Sequence, residues 1–134
     1  VREFGAVAVA IDQIMALDVD VFAPCALGAV LNDRTIPQLR ASIVAGAANN
    51  QLARPEHDRA LMARGILYAP DYCINAGGII DIYYEGPNYD WAVVEAHLRR
   101  IGTTLMAIFE RAHAEGRPTG EVADRMAEER FRRR

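Results

Sequence analysis

Lysine is absent from this chain of 134 residues, and all 15 of its basic residues are arginine. Chemistry that depends on a lysine amine, such as Schiff-base formation or proton transfer through a lysine of lowered pKa, therefore cannot come from this chain. The net charge is −3, which gives no electrostatic support for binding to nucleic acid. The chain has no run of about 18 uncharged apolar residues, the length that a helix needs to cross a bilayer.

Cysteines and phosphate-binding motifs are also scarce. Cys25 and Cys73 are far apart in apolar stretches, and two such cysteines are too few for a disulfide framework or a zinc site. We expect both to be buried, reduced thiols of a cytoplasmic protein, and no signal or transit segment opens the sequence. Neither a G-x-G-x-x-G sequence nor a Walker A motif occurs, so the chain carries no phosphate-binding loop of its own.

The residues that are present are typical of a globular domain, with 51% hydrophobic and 25% charged residues. Apolar runs of strand length predict four strands, at Ala6–Ala10, Val19–Ala23, Ser42–Ala45 and Ile66–Ala69. Helical segments follow the second and the third of these runs. Strands joined through helices pair in parallel, so the sequence predicts an α/β fold.

Helix signals between and after the strands are clear. The predicted helical segments are 36–40, 55–64, 71–85, 90–115 and 118 onward. Asp90 and Gly116 suit the two ends of the long helix, because aspartate caps helix starts and glycine adopts the conformation that ends a helix. Apolar residues on one face of that helix are expected in the core: Trp91, Val94, Leu98, Ile101, Leu105, Ile108 and Ala112.

Adjacent glycines interrupt the apolar segment 71–85, at Gly77 and Gly78. Two glycines cost a helix about 2 kcal/mol relative to alanine. Two interpretations are open: another helix packs tightly against the glycines, or a ligand lies against that flank.

Small and carboxamide side chains follow the last three predicted strands. The three loops read PCALG (24–28), GAANN (46–50) and PD (70–71), the last leading to NAGG (75–78). Ligands of open parallel sheets bind at the carboxyl ends of the strands, and small residues let a flat ligand reach the backbone there. Since Asp71 is the only proton-transfer group of suitable pKa among these loops, they predict a binding surface rather than a catalytic centre.

Histidines and cysteines offer no better candidates for chemistry. His57, His97 and His113 lie on separate helical segments without metal-ligand spacing, and we expect them to be exposed. Cys25 follows a strand, where a nucleophile could lie, but no base is near it in the sequence. The sequence therefore predicts neither a catalytic residue nor a metal site.

Four motifs, in this order, resemble the glutamate/leucine/phenylalanine/valine dehydrogenase family. They are DVFAPCALGAVLND (20–33), TIPQL (35–39), AGAANNQL (45–52) and GILYAPDYCINAGGII (65–80). The likeness continues more weakly to about Arg130 and is greatest to the leucine dehydrogenases. It implies an enzyme that uses NAD to deaminate an L-amino acid oxidatively to a 2-oxo acid, and it implies a homo-oligomer.

The resemblance also implies an arrangement of domains. Residues 1–85 would be the C-terminal half of a Rossmann-type NAD-binding domain, with three parallel strands and a detached fourth, Ala6–Ala10. Residues 86–134 would form C-terminal helices. The family's catalytic lysine and its glycine-rich phosphate loop precede the matched region, so we expect the chain to be inactive without an N-terminal half.

Site residues follow from the resemblance one by one. Cys25 and Ala26 would line the cofactor ribose. Ala47, Ala48 and Asn49 would face the nicotinamide end of the cofactor, and the Asn49 amide would lie near the substrate carboxylate.

The remaining implied contacts come from the last motif. Asn75 would hydrogen-bond the nicotinamide carboxamide or its neighbour. Ile79 and Ile82 would shape the pocket for the substrate side chain. Two β-branched residues there would narrow the pocket and favour branched-chain substrates over phenylalanine.

Three hypotheses about this chain stay open at this point. It could be part of a dehydrogenase that is active only with its N-terminal half, a non-catalytic nucleotide-binding or interaction module derived from one, or a truncated sequence without its own function. A neighbouring reading frame that encodes the catalytic lysines would favour the first hypothesis.

Overall fold

A small parallel sheet organises the first half of the molecule. The computed structural model describes residues 3–132. The strands are β1 (Val21–Phe22), β2 (Ile43–Val44) and β3 (Leu67–Tyr68), adjacent in chain order. Both strand pairs are parallel. The predicted α/β class and the predicted order of these three strands are therefore confirmed.

The predicted strand Ala6–Ala10 does not form, and its residues are exposed. It pairs with none of the three strands, which confirms that it is detached from the sheet. A segment without a neighbouring strand gains too little to offset about 1–2 kcal/mol of backbone entropy per residue.

Five α-helices accompany the sheet in the described residues. They are α1 (Glu56–Ala63), α2 (Asp71–Ile74), α3 (Gly77–Tyr84), α4 (Trp91–Glu115) and α5 (Thr119–Arg132), with short 3₁₀ turns at Ile14–Ala16 and Ile36–Gln38. The prediction of a single helix over 71–85 was wrong, because a turn at Asn75 and Ala76 separates α2 from α3.

The long helix α4 begins and ends at the capping residues that the sequence predicts. The Asp90 carboxylate accepts a hydrogen bond of 2.9 Å from the Ala92 amide at the start of α4. Gly116 ends α4 with a φ of 62°, a conformation that glycine adopts without steric cost.

Two apolar clusters form the core. The larger one lies around the sheet and α1 and includes Leu31, Leu39, Val44, Leu61 and Tyr68. The smaller one joins α4 to α5. It consists of Ile108, Ala112, Val122 and Ala123.

The predicted apolar face of α4 is buried only in part. Val94, Ile108 and Ala112 are buried, whereas Leu98, Ile101 and Leu105 are half-buried. Trp91, the first residue of α4, is exposed, so its assignment to the core was wrong. Among residues 3–132, no helix combines the length and the hydropathy of a membrane span.

Candidate functional site

The loops that follow the three strands meet at the carboxyl ends of the strands. The Ala48 amide donates a hydrogen bond of 2.9 Å to the carbonyl oxygen of Pro24, which joins the loop after β2 to the loop after β1. The same two loops meet again where the Ala29 amide donates to the carbonyl of Asn50 at 2.7 Å. We call the surface formed by residues 24–28, 46–50 and 69–76 the strand-end surface.

Gly46 lets the first two loops approach each other. A β-carbon at this position would lie 2.2 Å from the Pro24 carbonyl oxygen and 2.4 Å from the Pro24 nitrogen. Both atoms belong to the backbone, so neither can move without displacing its loop. The sequence shows a glycine here, but only the fold shows that the backbone of another segment fills the space of its side chain.

The third loop joins the second through two carboxamides. Asn75 Nδ2 donates to the Asn49 side-chain oxygen and, at 3.3 Å, to the Ala47 carbonyl. Asn49 and Asn75, which we call the amide pair, are 26 residues apart in the chain. The sequence analysis named both as site residues, and the structure brings them together.

Hydrogen-bonding capacity is left over on both members of the amide pair. Within residues 3–132, no protein acceptor contacts Asn49 Nδ2 and no protein donor contacts Asn75 Oδ1. Asn49 is exposed and Asn75 is half-buried. The pair can therefore offer amide hydrogens from Asn49 and an acceptor oxygen from Asn75 to the same ligand or to two adjacent ones.

Small residues share the strand-end surface with the amide pair. Cys25, Ala26 and Ala47 are exposed, while Ala48 is buried. The expectation that Cys25 is buried was wrong, because its loop runs along the open end of the sheet and not through the core. Cys73 is half-buried, and burial raises the pKa of its thiol.

Helix α3 presents Ile79 and Ile82 on one exposed face. Their exposed fractions are 71% and 67%, high values for apolar side chains. A β-carbon on Gly77 would make an ordinary contact with Leu98 at 3.5 Å, and one on Gly78 would meet nothing within 4 Å. Tight packing within the described chain thus does not require these glycines, and the ligand interpretation stays open.

A second row of polar groups lies behind the amide pair. The Asp71 carboxylate accepts hydrogen bonds from the Gln51 backbone amide at 2.7 Å and from the Tyr68 hydroxyl at 3.1 Å. Burial, helped by the Asp71 charge, holds the pKa of Tyr68 well above its usual value, so the hydroxyl stays protonated and donates. The sequence analysis named Asp71 only as an acid and missed Gln51 and Tyr68.

His57 is buried, with 3% of its surface exposed, so the expectation of an exposed histidine was wrong. Its Nδ1 accepts from the Arg54 amide at 3.0 Å, and its Nε2 lies 3.1 Å from a carboxylate oxygen of Asp33. His97 is half-buried near the Tyr84 hydroxyl, and His113 is exposed as expected. No cluster that could hold a metal ion occurs within residues 3–132.

A cleft of about 560 Å³ lies between the start of α1 and the start of α5. Asp58 and Tyr72 line it, and the amide pair does not. The Asp58 carboxylate accepts from the Gly120 amide at 2.8 Å, which joins the start of α5 to α1. Burial raises the pKa of this carboxyl group. We therefore assign this carboxylate a structural role, in which it connects α1 to the start of α5.

Comparison with known proteins shows where this chain belongs. A family model described as Glutamate/Leucine/Phenylalanine/Valine dehydrogenase matches residues 3–121. An L-tryptophan dehydrogenase of Nostoc punctiforme is 52% identical over 97% of this chain and 37% of its own length. A leucine dehydrogenase of Geobacillus stearothermophilus is 46% identical over 98% of this chain and 36% of its own length.

Solved structures agree with the sequence matches. The crystal structure of L-tryptophan dehydrogenase from Nostoc punctiforme superposes with a TM-score of 0.94 at 51% identity, over 98% of this chain and 40% of that one. A hetero-hexameric glutamate dehydrogenase from Thermus thermophilus shares the fold, with a TM-score of 0.63 at 22% identity, over 89% of this chain and 30% of that one.

The chain spans 37% of the length of the tryptophan dehydrogenase that it matches and corresponds to a C-terminal part of its relatives. The family match covers most of the chain and includes all three strand-end loops. The chain therefore belongs to the glutamate/leucine/phenylalanine/valine dehydrogenase family.

Proposed function

We propose that this chain is the C-terminal part of an NAD-dependent dehydrogenase that deaminates a hydrophobic L-amino acid oxidatively to a 2-oxo acid. The observation that carries the proposal is the amide pair, which leaves donors on Asn49 and an acceptor on Asn75 at the carboxyl ends of parallel strands. Relatives named as tryptophan, leucine and valine dehydrogenases support an amino-acid substrate.

The chemistry of the strand-end surface fits one end of a dinucleotide. Cys25 and Ala26, both exposed, leave room for a ribose, and exposed Ala47 leaves room for a flat nicotinamide ring. Ala48 is buried, so its side chain can contribute little to a contact with that ring. The Asn75 oxygen can accept from the carboxamide of that ring. When bound, NAD would supply the hydride acceptor of the reaction. The sequence contains no glycine-rich loop for the pyrophosphate, which another part of the protein would have to bind.

Asn49 suits the carboxylate of the amino acid. Its side-chain nitrogen carries two hydrogens that no acceptor in residues 3–132 takes up. Since the oxygen of the same amide accepts from Asn75, the nitrogen is the group that Asn49 leaves for a ligand, and Asn49 is exposed. An amide hydrogen bonded to a carboxylate makes a charge-assisted bond, which is stronger than a neutral one.

The open side of β1 supports the proposal that a preceding segment of the protein pairs with this strand and completes the site. Within residues 3–132, β1 has a neighbour on one side only. Val21, in β1 itself, is exposed, and so are Val7 and Ile11, which precede the strand in the chain. An open strand edge with apolar side chains favours pairing with another strand. We propose that residues 1–85 complete a Rossmann domain with that segment and that residues 86–134 are its C-terminal helices.

Ile79 and Ile82 are proposed to line the pocket for the substrate side chain. Two β-branched residues one helical turn apart narrow a pocket and favour leucine, valine or isoleucine over a large aromatic ring. The competing possibility is an aromatic substrate, because one relative is an L-tryptophan dehydrogenase. Homo-oligomeric assembly and cytoplasmic location remain predictions from the family resemblance.

Ile79→Ala should widen this pocket. We expect the ratio of kcat/KM for L-tryptophan to kcat/KM for L-leucine to rise by about 10- to 100-fold in the longer protein, because small changes in an apolar pocket are worth about 1–3 kcal/mol of discrimination. Val93→Ala, on an exposed position of α4, is the matched control. An unchanged ratio for Ile79→Ala would remove Ile79 from the pocket.

The proposed function is tested with the longer protein that contains this chain. We expect NADH to form when NAD and L-leucine, L-valine or L-tryptophan are added, and ammonia and the 2-oxo acid to form in equal amounts. Binding of NAD without turnover of any L-amino acid would overturn the proposal and favour a non-catalytic nucleotide-binding module.

A further inference from the structure

Two hydrogen-bonded connections join the same pair of chain segments at the strand-end surface. The outer one is the bond within the amide pair, between Asn75 and Asn49. The inner one runs from the Gln51 backbone amide to the Asp71 carboxylate, at 2.7 Å. Gln51 lies two residues after Asn49, and Asp71 lies one helical turn before Asn75, so the inner bond fixes the spacing from which the outer one is made.

The residues of the inner connection are buried, although Tyr68 and Asp71 also line the cleft between α1 and α5. Gln51 is 0% exposed, and Asp71 and Tyr68 are buried. The Tyr68 hydroxyl donates to the same carboxylate oxygen at 3.1 Å and accepts from the Asp71 backbone amide at 3.3 Å. One oxygen of the carboxylate is therefore held by two donors from two different chain positions.

Gln51 also shapes the loop that carries Asn49. Its side-chain nitrogen donates to the carbonyl oxygens of Gly46 at 2.7 Å and Ala48 at 3.0 Å, which closes the loop on itself. Asn50 adopts a φ of 51°, an unusual value for a residue other than glycine. These bonds leave Asn49 exposed at the end of the closed loop.

We propose that Asp71 and Gln51 are positioning residues for substrate and cofactor binding and act through the amide pair. The inference rests on the proposed function, because it assigns to the amide pair the ligands named there. Loss of the inner bond would let the two segments move relative to each other. Asn49 and Asn75 would then no longer face their ligands at the same time, and an error of 1 Å in such a site can cost about 100-fold in rate.

A double-mutant cycle in the longer protein tests this role. We expect Asp71→Ala to lower kcat/KM for the amino acid by about 10- to 100-fold, with a rise in KM. Asn49→Ala removes the group through which Asp71 acts. In the Asn49→Ala background the further loss caused by Asp71→Ala should shrink to about threefold or less, because two residues that act as one unit are not additive.

Asp18→Ala is the matched control. Asp18 is an exposed aspartate that pairs with Arg40 at 3.4 Å, away from the strand-end surface, so its removal should leave kcat/KM unchanged. If Asp71→Ala does not fold, Tyr68→Phe takes its place in the cycle. That variant removes only the hydroxyl that donates to the carboxylate, and we expect a loss of about threefold that disappears in the Asn49→Ala background.

Two failures of this experiment have different meanings. If the wild-type protein oxidises the amino acid and the effects at Asp71 and Asn49 are fully additive, the positioning role is wrong while the proposed function stands. If the wild-type protein oxidises no L-amino acid, the proposed function and the positioning role are both overturned.

Discussion

Gly46→Ala is expected to lower the free energy of unfolding by about 3 kcal/mol or more, because overpacking against atoms that cannot move is strongly destabilising. The new methyl group would lie 2.2 Å from the Pro24 carbonyl oxygen, far inside van der Waals contact. The same oxygen accepts the 2.9 Å hydrogen bond from the Ala48 amide, so relief of the clash would also break this connection between the loops. Urea denaturation of the wild type and the variant measures the difference.

Gly102→Ala is the control for that experiment. Gly102 lies in the middle of α4, and a β-carbon there would meet nothing within 4 Å. Alanine should therefore raise stability by about 0.5–1 kcal/mol, since it loses less conformational entropy in a helix than glycine does. A Gly46→Ala variant as stable as the wild type would show that the first two strand-end loops do not approach each other as described.

If the proposed function is right, the 134-residue chain by itself is expected to be inactive. It should form no measurable NADH with L-leucine, L-valine or L-tryptophan, because the family resemblance implies a catalytic lysine and the chain contains none. Loss of a general base alone costs about 10²–10⁴ in rate. The sequence also lacks a phosphate-binding loop for the cofactor.

The control for this prediction is the longer protein that contains the chain, assayed at the same concentration. Addition of a separately produced N-terminal half to the 134-residue chain offers a second comparison, and recovery of NADH formation would support the proposed division of the site. Amino-acid-dependent NADH formation by the chain alone would contradict the assignment of proton transfer to another part of the protein.

Local signals explain the parts of the fold that the sequence predicts well. Strands β1 to β3 lie within apolar runs, and Asp90 and Gly116 end α4 through atoms close to them in the chain. Each of these features depends on the chemistry of a few neighbouring residues, which a single sequence displays directly.

Features that depend on distant residues could not be predicted in this way. The polar ring of buried His57 is satisfied on one side by Asp33, 24 positions earlier in the chain. The predicted helix over 71–85 breaks where the Asn75 side chain bonds to Asn49, 26 positions earlier. Sequence spacing alone identifies neither Asp33 nor Asn49 as the partner, because in each case the fold brings two distant segments together.

Some residues of the candidate site could be predicted from the sequence, and others could not. The sequence and its family resemblance indicated Asn49 and Asn75, whose residue types suggest ligand binding. They did not indicate Gln51, because a glutamine in a loop is normally a solvated side chain. Its complete burial and its bonds to two carbonyl oxygens are visible only in the folded chain.

The most direct test of the amide pair as the ligand-binding element is a crystal structure of the longer protein with NAD and the 2-oxo acid product. We predict that Asn49 Nδ2 lies about 2.7–3.2 Å from a carboxylate oxygen of the product and that Asn75 Oδ1 accepts from the nicotinamide carboxamide. A complex in which the product and the nicotinamide bind elsewhere, with both amides exposed to solvent, would contradict this account.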